Sequence, residues 1–344
     1  MTGAAIFDGH NDVLNVLWAM RDREGAAFFD GRDGQLDLSK CRAGGFAGGF
    51  FAIWVPGDRS LDPDPLATLR VFHPIDMARA RVATLEMAAI LLRMAAARPD
   101  VIRVCRSGAD IRGAQAAGAI AAILHVEGCE GIGPDLDELQ VLYAAGLRSL
   151  GPVWSRPNIF GHGVPFNFPA SPDTGPGLTE AGIRLVQECN RLGVLVDLSH
   201  LNEAGFWDVA RVSDAPLVAT HSNAHAVTAA TRNLTDKQLR AISETKGVVG
   251  VNFGVQFLRL DGVKNPDTAP QDILRHLDHL LAILGEDGVA LGSDFDGAMM
   301  PQFLQSAAGL PVLVRAMETA GYGKPLIDKI CWGNWVGVLE RTIG

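Results

Sequence analysis

The sequence predicts a single (β/α)₈ barrel, and two observations support this fold. Eight short apolar, partly β-branched runs end in Gly, Asp, His, Asn or Pro, and longer stretches with helical spacing follow them. No Pro/Ser-rich linker or change in composition divides the 344-residue chain. Although the length alone predicts roughly two domains, one barrel catalytic domain over residues 1–344 fits this alternation better than two doubly wound domains.

The predicted strands and helices alternate along the whole chain. The strands cover residues 5–12, 49–55, 120–127, 147–153, 194–199, 216–221, 247–253 and 289–294. The helices cover residues 77–97, 135–145, 179–192, 203–212, 235–244, 271–284 and 310–320, and a last helix over 325–339 closes the barrel. Thr235 and Gln238 have the spacing of a capping box, which indicates a helix start.

Composition excludes several classes of protein. The net charge of −9 and the absence of long Lys/Arg runs argue against nucleic-acid or anionic-membrane partners. The five cysteines are scattered without metal-binding spacing, so we expect reduced, buried thiols. No signal-peptide pattern or long apolar span is visible, which predicts a cytoplasmic protein. A chain of this length needs no structural metal, so any bound metal is expected to serve chemistry.

Polar residues capable of binding metal follow the predicted strands. The two-residue period of the first strand predicts that His10 and Asp12 point together into the barrel mouth. Further such residues end the third, fifth, sixth and eighth predicted strands: Glu127, His200, His221 and Asp294. Because barrel active sites lie at the carboxyl ends of the strands, these six groups are expected to converge. Three histidines and three carboxylates can hold two divalent ions, with Zn²⁺ favoured and Mn²⁺, Fe²⁺ or Co²⁺ possible.

Other residues have less specific interpretations. His276 and His279 lie in a helical pattern, and His73 precedes a proline in a loop, so all three are expected to be structural. His125 shares strand parity with Glu127 and is either a core histidine or a supporting residue for the metal ligands. Asp296 is the nearest rival of Asp294 as the catalytic carboxylate. Two further carboxylates either orient metal ligands or cap loops: Asp8 and Asp197.

At these residues the chain resembles the renal or membrane dipeptidase family, a branch of the amidohydrolase-type metal barrels. The matching pieces run in the family's order over nearly the whole chain: Asp-Gly-His-Asn-Asp (8–12), His-Val-Glu-Gly (125–128), Val-Asp-Leu-Ser-His (196–200), Ala-Thr-His-Ser-Asn (219–223), Thr-Arg-Asn (231–233), Val-Gly-Val-Asn-Phe (249–253) and Gly-Ser-Asp-Phe-Asp-Gly (292–297). Together these pieces are highly specific, whereas His-x-Asp alone is a weak signal.

The resemblance implies the roles of the site residues. His10 and Asp12 would hold one zinc ion, His200 and His221 the other, and Glu127 would bridge both and serve catalysis. Asp294 would handle the proton and contact substrate, and Arg232 would bind the terminal carboxylate of the substrate. These roles agree with amide hydrolysis, which needs a nucleophile such as a metal-bridged hydroxide, a cation for the carbonyl oxygen and an acid for the leaving amine.

One stretch departs from the family pattern. Better-studied members carry a carbonyl-binding histidine after the fourth strand, where this chain has Trp154. A tryptophan donates one hydrogen bond but carries no charge. Oxyanion stabilisation would therefore depend on metal, on Trp154 or on His162 from the following loop, and strict dipeptide specificity is in doubt.

Three functions remain open at this point. The first is a zinc dipeptidase that acts on free dipeptides, including L-Xaa-D-Xaa. The second is an amidohydrolase for another small amide, such as an N-acyl amino acid or a β-lactam, and the third is a metal-dependent binding protein without turnover. The family also implies a homodimer. The long loops over residues 54–66 and 155–177 are expected to wall the pocket and to set specificity.

Overall fold

The computed structural model describes residues 4–57 and 72–344, and among these residues nine parallel strands form one sheet. The strands are β1 (Ile6–Asn11), β2 (Phe46–Trp54), β3 (Ile102–Val104), β4 (Ile120–Glu127), β5 (Leu147–Gly151), β6 (Leu195–Val196), β7 (Val218–Ala219), β8 (Val248–Val251) and β9 (Val289–Leu291). The helices are α1 (Val13–Ala19), α2 (Ala26–Asp30), α3 (Leu38–Gly44), α4 (Met77–Ala97), α5 (Gly108–Ala116), α6 (Asp137–Ala145), α7 (Glu180–Leu192), α8 (Glu203–Val212), α9 (Asp236–Glu244), α10 (Val255–Leu258), α11 (Pro270–Leu284), α12 (Leu310–Thr319), α13 (Lys324–Asp328) and α14 (Asn334–Ile343).

The sheet curls into a nearly closed barrel, as the sequence predicts. Its strand order is β6-β5-β4-β2-β1-β9-β8-β7, and a parallel bridge between Asp197 and Val218 joins the two ends. The eight predicted strands correspond to β1, β2 and β4 to β9. The additional strand β3 pairs only with Ile120, Ala121 and Ala122 at the start of β4. Its three residues are too few for a recognisable period.

The barrel interior is filled from below by the C-terminal helix. Trp335 of α14 is buried among inward-facing apolar residues of the strands and donates a hydrogen bond to the Leu291 carbonyl at 2.8 Å. A Cβ atom at Gly9 or Gly250 would lie 2.7 or 2.9 Å from the Trp335 ring, so both positions require glycine. This packing forms the floor under the polar residues at the barrel mouth.

Several predicted helix bounds agree with the structure, and others do not. The predicted helices over 77–97 and 203–212 match α4 and α8, and the capping box at Thr235 begins α9. The single helix predicted over 325–339 is instead α13, a π-helical turn over Lys329–Gly333, and α14. Among the short helices, α1 and α5 carry no strong signal in the sequence and were not predicted.

Three sequence expectations concern features other than the strand and helix order. All five cysteines are buried and have free thiols, as expected. Within residues 4–57 and 72–344, no helix combines the length and apolar character that a membrane span requires. Residues 58–66, which are most of the predicted pocket loop over residues 54–66, lie outside the described residues.

Candidate metal centre

Five predicted ligand side chains meet at the carboxyl ends of the strands. His10 lies in β1, Asp12 directly follows it, Glu127 ends β4, and His200 and His221 follow β6 and β7. Glu127 Oε1 lies 2.9 Å from His200 Nε2 and 3.3 Å from His221 Nε2. Its other oxygen, Oε2, lies 3.7 Å from His10 Nε2. One carboxylate therefore faces two separate groups of ligands, as a bridging ligand does.

The spacing within each group suits a small divalent ion. His200 Nε2 and His221 Nε2 are 3.0 Å apart, and His10 Nε2 is 3.3 Å from Asp12 Oδ2. Tetrahedral zinc ligands with bonds of 2.0–2.2 Å are separated by about 3.3–3.6 Å. The observed separations lie at or slightly below the lower end of this range, so a small outward movement of the side chains would be needed to bind an ion.

The electrostatics of the cluster also fit a cation. Both ring nitrogens of His10 are buried without a hydrogen-bond partner. Burial lowers the pKa of His10, but Glu127 and Asp12 oppose this effect and raise it to about 10. Burial raises the pKa of Glu127 well above its usual value. The site thus attracts positive charge, and three imidazoles with carboxylates are the donors that zinc prefers.

Neighbouring hydroxyl groups orient two of the histidines. Ser155 Oγ lies 2.7 Å from His200 Nδ1, and Thr220 Oγ1 lies 2.8 Å from His221 Nδ1. Thr220 in turn donates to Asp197 Oδ2 at 2.5 Å. These contacts hold both Nδ1 atoms and leave the Nε2 atoms directed at Glu127. Asp197 thus contacts the predicted ligand His221 through Thr220, and its Oδ1 also caps the loop by accepting from Ser199 N at 2.9 Å and Thr220 N at 2.8 Å, so its contacts fit both predicted roles.

Asp8 and His125 have structural contacts below the cluster. Asp8 accepts hydrogen bonds from Ser293 N at 2.6 Å and Ser293 Oγ at 2.8 Å, which ties β1 to the chain after β9. His125 lies two residues before Glu127 on the same face of β4, and its Nδ1 is 2.9 Å from Ser149 Oγ. Burial lowers the pKa of His125 to about 3, so its ring is neutral. His125 is thus a core histidine in the layer beneath Glu127.

Asp294 lies beside the ligand cluster. One ligand atom each from His10, His221 and Asp294 lie within 4.8 Å of one another. Asn252 Nδ2 donates to Asp294 Oδ2 at 2.9 Å. Burial raises the pKa of Asp294 to about 6, and His10 opposes this rise. A carboxyl group with a pKa near neutrality both accepts and donates a proton under ordinary conditions.

Asp296, the alternative candidate for the catalytic carboxylate, forms an ion pair and a backbone hydrogen bond. Its oxygens accept from the Arg32 guanidinium and from Gln35 N, the latter at 2.8 Å. Burial raises its pKa and Arg32 opposes that effect. Because a cation and a backbone donor hold Asp296, Asp294 is the better placed of the two for proton transfer.

Arg232 is buried next to the cluster. Its guanidinium donates to the His221 carbonyl at 2.9 Å and to Ser222 Oγ at 3.2 Å, and its Nε has no partner. The guanidinium carbon lies 5.6 Å from the centre of the Phe257 ring. Arg232 is thus a buried cation beside His221 that retains an unused donor. It lies behind Phe257, which lines the cavity over the cluster, and is not itself a lining residue.

A cavity of about 160 Å³ opens over the cluster. Its lining includes Glu127, His200 and Asp294 together with aromatic side chains, of which Trp154 is one. His162, by contrast, is not part of the lining, and its Nδ1 lies 3.2 Å from the Gly177 carbonyl oxygen. Of the two side chains predicted to stabilise the carbonyl oxygen, only Trp154 therefore faces this cavity.

Some residues that shape the site were not predicted. Arg156 is buried, donates to Glu130 Oε1 at 2.6 Å and lies 5.0 Å from the Trp154 ring. Asn252 contacts Asp294, whereas the sequence places it only in a predicted strand and in a segment that matches the family, without a role. Neither residue stands at a predicted strand end with a metal-binding side chain, so the criterion used for the ligands did not select them.

Comparisons with known proteins show which family and which solved structures the chain is similar to. The family model described as membrane dipeptidase (peptidase family M19) matches residues 1–343. The solved structure of the metallopeptidase dipeptidase AC of family M19 is 53% identical, with a TM-score of 0.94 and coverage of 99% of both chains. A metallopeptidase from Rhodobacter sphaeroides, solved with a phosphinate mimic of L-Ala-D-Ala, is also 53% identical, with a TM-score of 0.94 and coverage of 98% of this chain and 99% of its own. A Klebsiella pneumoniae protein, named "Uncharacterized protein in pqqA 5'region", is 50% identical over 75% of this chain and 95% of its own length.

Proposed function

The chain belongs to the membrane dipeptidase family (peptidase family M19) and is a metallo-dipeptidase, and from this premise we propose that it cleaves free dipeptides, including L-Xaa-D-Xaa, with two zinc ions. The observation that carries this proposal is the position of Glu127, whose two oxygens face separate groups of ligands. His10 and Asp12 would hold one ion, and His200 and His221 the other. When bound, such ions polarise a carbonyl group and make water nucleophilic at neutral pH.

Asp294 is proposed to move the proton. Asn252 donates to its Oδ2 atom, which leaves Oδ1 to take a proton from the attacking water and to pass it to the leaving amine. Desolvation raises the pKa of Asp294 to about 6, a value suited to both transfers. Trp154 is proposed to donate its indole N–H toward the carbonyl oxygen, since it faces the cavity.

Arg232 is proposed to bind the carboxylate at the C-terminus of the dipeptide. A guanidinium with an unused donor, buried beside His221, is suited to recognise a carboxylate. The cavity volume of about 160 Å³ is below the roughly 300–1,000 Å³ of sites for drug-sized ligands, which favours a small substrate. The L-Ala-D-Ala mimic bound by the Rhodobacter relative supports a D-residue at the substrate C-terminus.

A substrate panel tests the proposal. We expect zinc-loaded protein to hydrolyse L-Ala-L-Ala and L-Ala-D-Ala, and Asp294→Asn to lose this activity. N-acetyl-alanine and a β-lactam serve as the alternative amides. Hydrolysis of either alternative, without cleavage of any free dipeptide, would identify an amidohydrolase of different specificity and overturn the dipeptide assignment.

The homodimer and the cytoplasmic location stay predictions from the sequence. Light scattering on the purified protein tests the first, and cell fractionation tests the second. Neither bears on the chemistry proposed for the site.

A further inference from the structure

The segment over residues 31–37, between α2 and α3, contacts the loop of residues 292–298, which contains Asp294. The Arg32 guanidinium forms an ion pair with Asp296. Gln35 contacts the same loop three times: its N donates to Asp296 Oδ1 at 2.8 Å, its Oε1 accepts from Asp296 N at 2.6 Å, and its Nε2 donates to Ala298 O at 3.0 Å. Two residues of one segment thus fix both the side chain and the backbone at Asp296.

This loop has a strained backbone. Asp294 and Asp296 have φ values of 64° and 68°, in the left-handed region that few residues other than glycine adopt. Aspartate enters this region more readily than most side chains, but the conformation persists only where surrounding contacts hold it. On one side Asp294 N donates to the His10 carbonyl at 3.0 Å. The contacts of Arg32 and Gln35 hold the other side.

The ion pair between Arg32 and Asp296 is buried, and the turn at Gly34 provides the space for it. Only 3% of each side chain, Arg32 and Asp296, is exposed, so removal of one partner leaves an uncompensated charge in the interior. Gly34 has a φ of 132°, and a Cβ atom there would overlap the Arg32 guanidinium. The turn at Gly34 therefore provides the space in which Arg32 reaches Asp296.

We propose that Arg32, supported by Gln35, is a positioning residue for Asp294 that acts through Asp296. The buried ion pair stabilises the left-handed turn and thereby directs the Asp294 carboxylate toward the amide that reacts. Arg32 is not among the residues that line the cavity, whereas its partner Asp296 is, so Arg32 is connected to the cavity through Asp296. The inference rests on the proposed role of Asp294 in proton transfer.

Steady-state kinetics of Arg32→Met and Arg32→Lys with L-Ala-D-Ala test the inference. Because a misplacement of about 1 Å can cost about 100-fold in rate, we expect Arg32→Met to lower kcat by about that factor while KM and metal content stay near wild type. Arg32→Lys should recover part of kcat, since lysine can still contact one Asp296 oxygen. Ser107→Ala removes the cap of α5 at the opposite end of the barrel and controls for lost stability, with no expected change in kcat.

A double-mutant cycle separates positioning from a general structural effect. In the Asp294→Asn background, Arg32→Met should have little further effect on kcat, because the group that Arg32 positions is already gone. Losses that multiply, or an Arg32→Met variant with wild-type kcat, would overturn the inference. Should Arg32→Met fail to fold, Gly34→Ala can replace it, because the added Cβ displaces the guanidinium without removing its charge. Gly34→Ala is expected to lower kcat in the wild-type protein and to have little further effect on kcat in the Asp294→Asn background. An Asp294→Asn variant with unchanged kcat would instead contradict the proposed function itself.

Discussion

The Nε2 atoms of His200 and His221 face each other at 3.0 Å, with the Glu127 carboxylate beside both. Burial lowers the pKa of each ring well below its usual value, so the rings are neutral and present lone pairs. Such an arrangement is most stable when a cation lies between the donors.

Removal of metal should lower the stability of the protein. A ligand present at about 100 times its dissociation constant stabilises the folded state by about 2.7 kcal/mol. We therefore expect a chelator to lower Tm by several degrees and zinc to restore it, as measured by differential scanning calorimetry. His200→Ala should reduce this shift, and a Tm that is insensitive to chelator and zinc would contradict the assignment.

Asp294→Asn should lower kcat by about 10²–10⁴-fold, because the amide cannot accept and return a proton. The variant should keep the wild-type metal content, measured by elemental analysis. A carboxylate oxygen of Asp294 also lies within 4.8 Å of a ring nitrogen of His10 and of His221, which is close enough for all three to bind one ion. Loss of one ion in Asp294→Asn would therefore assign Asp294 to metal binding, in place of proton transfer.

Arg232→Met should lower kcat/KM for free dipeptides. A hydrogen bond to a charged group contributes about 1.5–3 kcal/mol, which corresponds to roughly 10–150-fold. The effect should disappear with a dipeptide amide, which lacks the terminal carboxylate. Equal losses on the acid and the amide would show that Arg232 acts by supporting His221, whose carbonyl it contacts.

Trp154→Phe and His162→Ala should differ in their effects. Trp154 faces the cavity, whereas His162 contacts the Gly177 carbonyl away from the lining. Loss of one oxyanion donor costs about 10²–10³-fold in kcat, so we expect a loss up to this size for Trp154→Phe and wild-type kcat for His162→Ala. The reverse order would return the carbonyl-binding role to His162.

His276 should make the protein less stable as pH falls. Its Nδ1 accepts from Ala224 N at 3.1 Å, and burial lowers its pKa from 6.5 to about 4. Between these values the unfolded chain binds a proton that the folded chain excludes, so the free energy of unfolding decreases with falling pH, by a few kcal/mol at most. Urea unfolding of wild type and His276→Gln at pH 7 and pH 5 measures this. A stability difference between the two proteins that does not change with pH would contradict the prediction.

The sequence predicts the barrel and the ligand set because both depend on local pattern. Glu127 ends a regular strand with His125 on the same face, so strand period and position are sufficient to place it. His10 and Asp12 meet as predicted, but not through strict alternation, since the pairing register of β1 shifts between Asp8 and Asn11. For His10 and Asp12 the metal-binding side-chain types therefore predicted the site better than the two-residue strand period did.

The supporting contacts depend on residues that are distant in the chain. Arg32 and Asp296 are 264 positions apart, and neither has a local signal for the other. The left-handed backbone at Asp294 cannot be predicted from residue type alone, because most aspartates adopt other conformations even though aspartate is enriched in that region. The contacts by which Arg32 and Gln35 hold Asp296 therefore required the structure.

Metal content measured together with dipeptide hydrolysis tests the central claim most directly. Elemental analysis of the purified protein, before and after zinc loading, is combined with the rate of L-Ala-D-Ala cleavage on the same samples. We predict two zinc ions per chain in the active protein and a single ion or none in an inactive Glu127→Ala variant. Full dipeptidase activity with fewer than two bound ions would contradict the account.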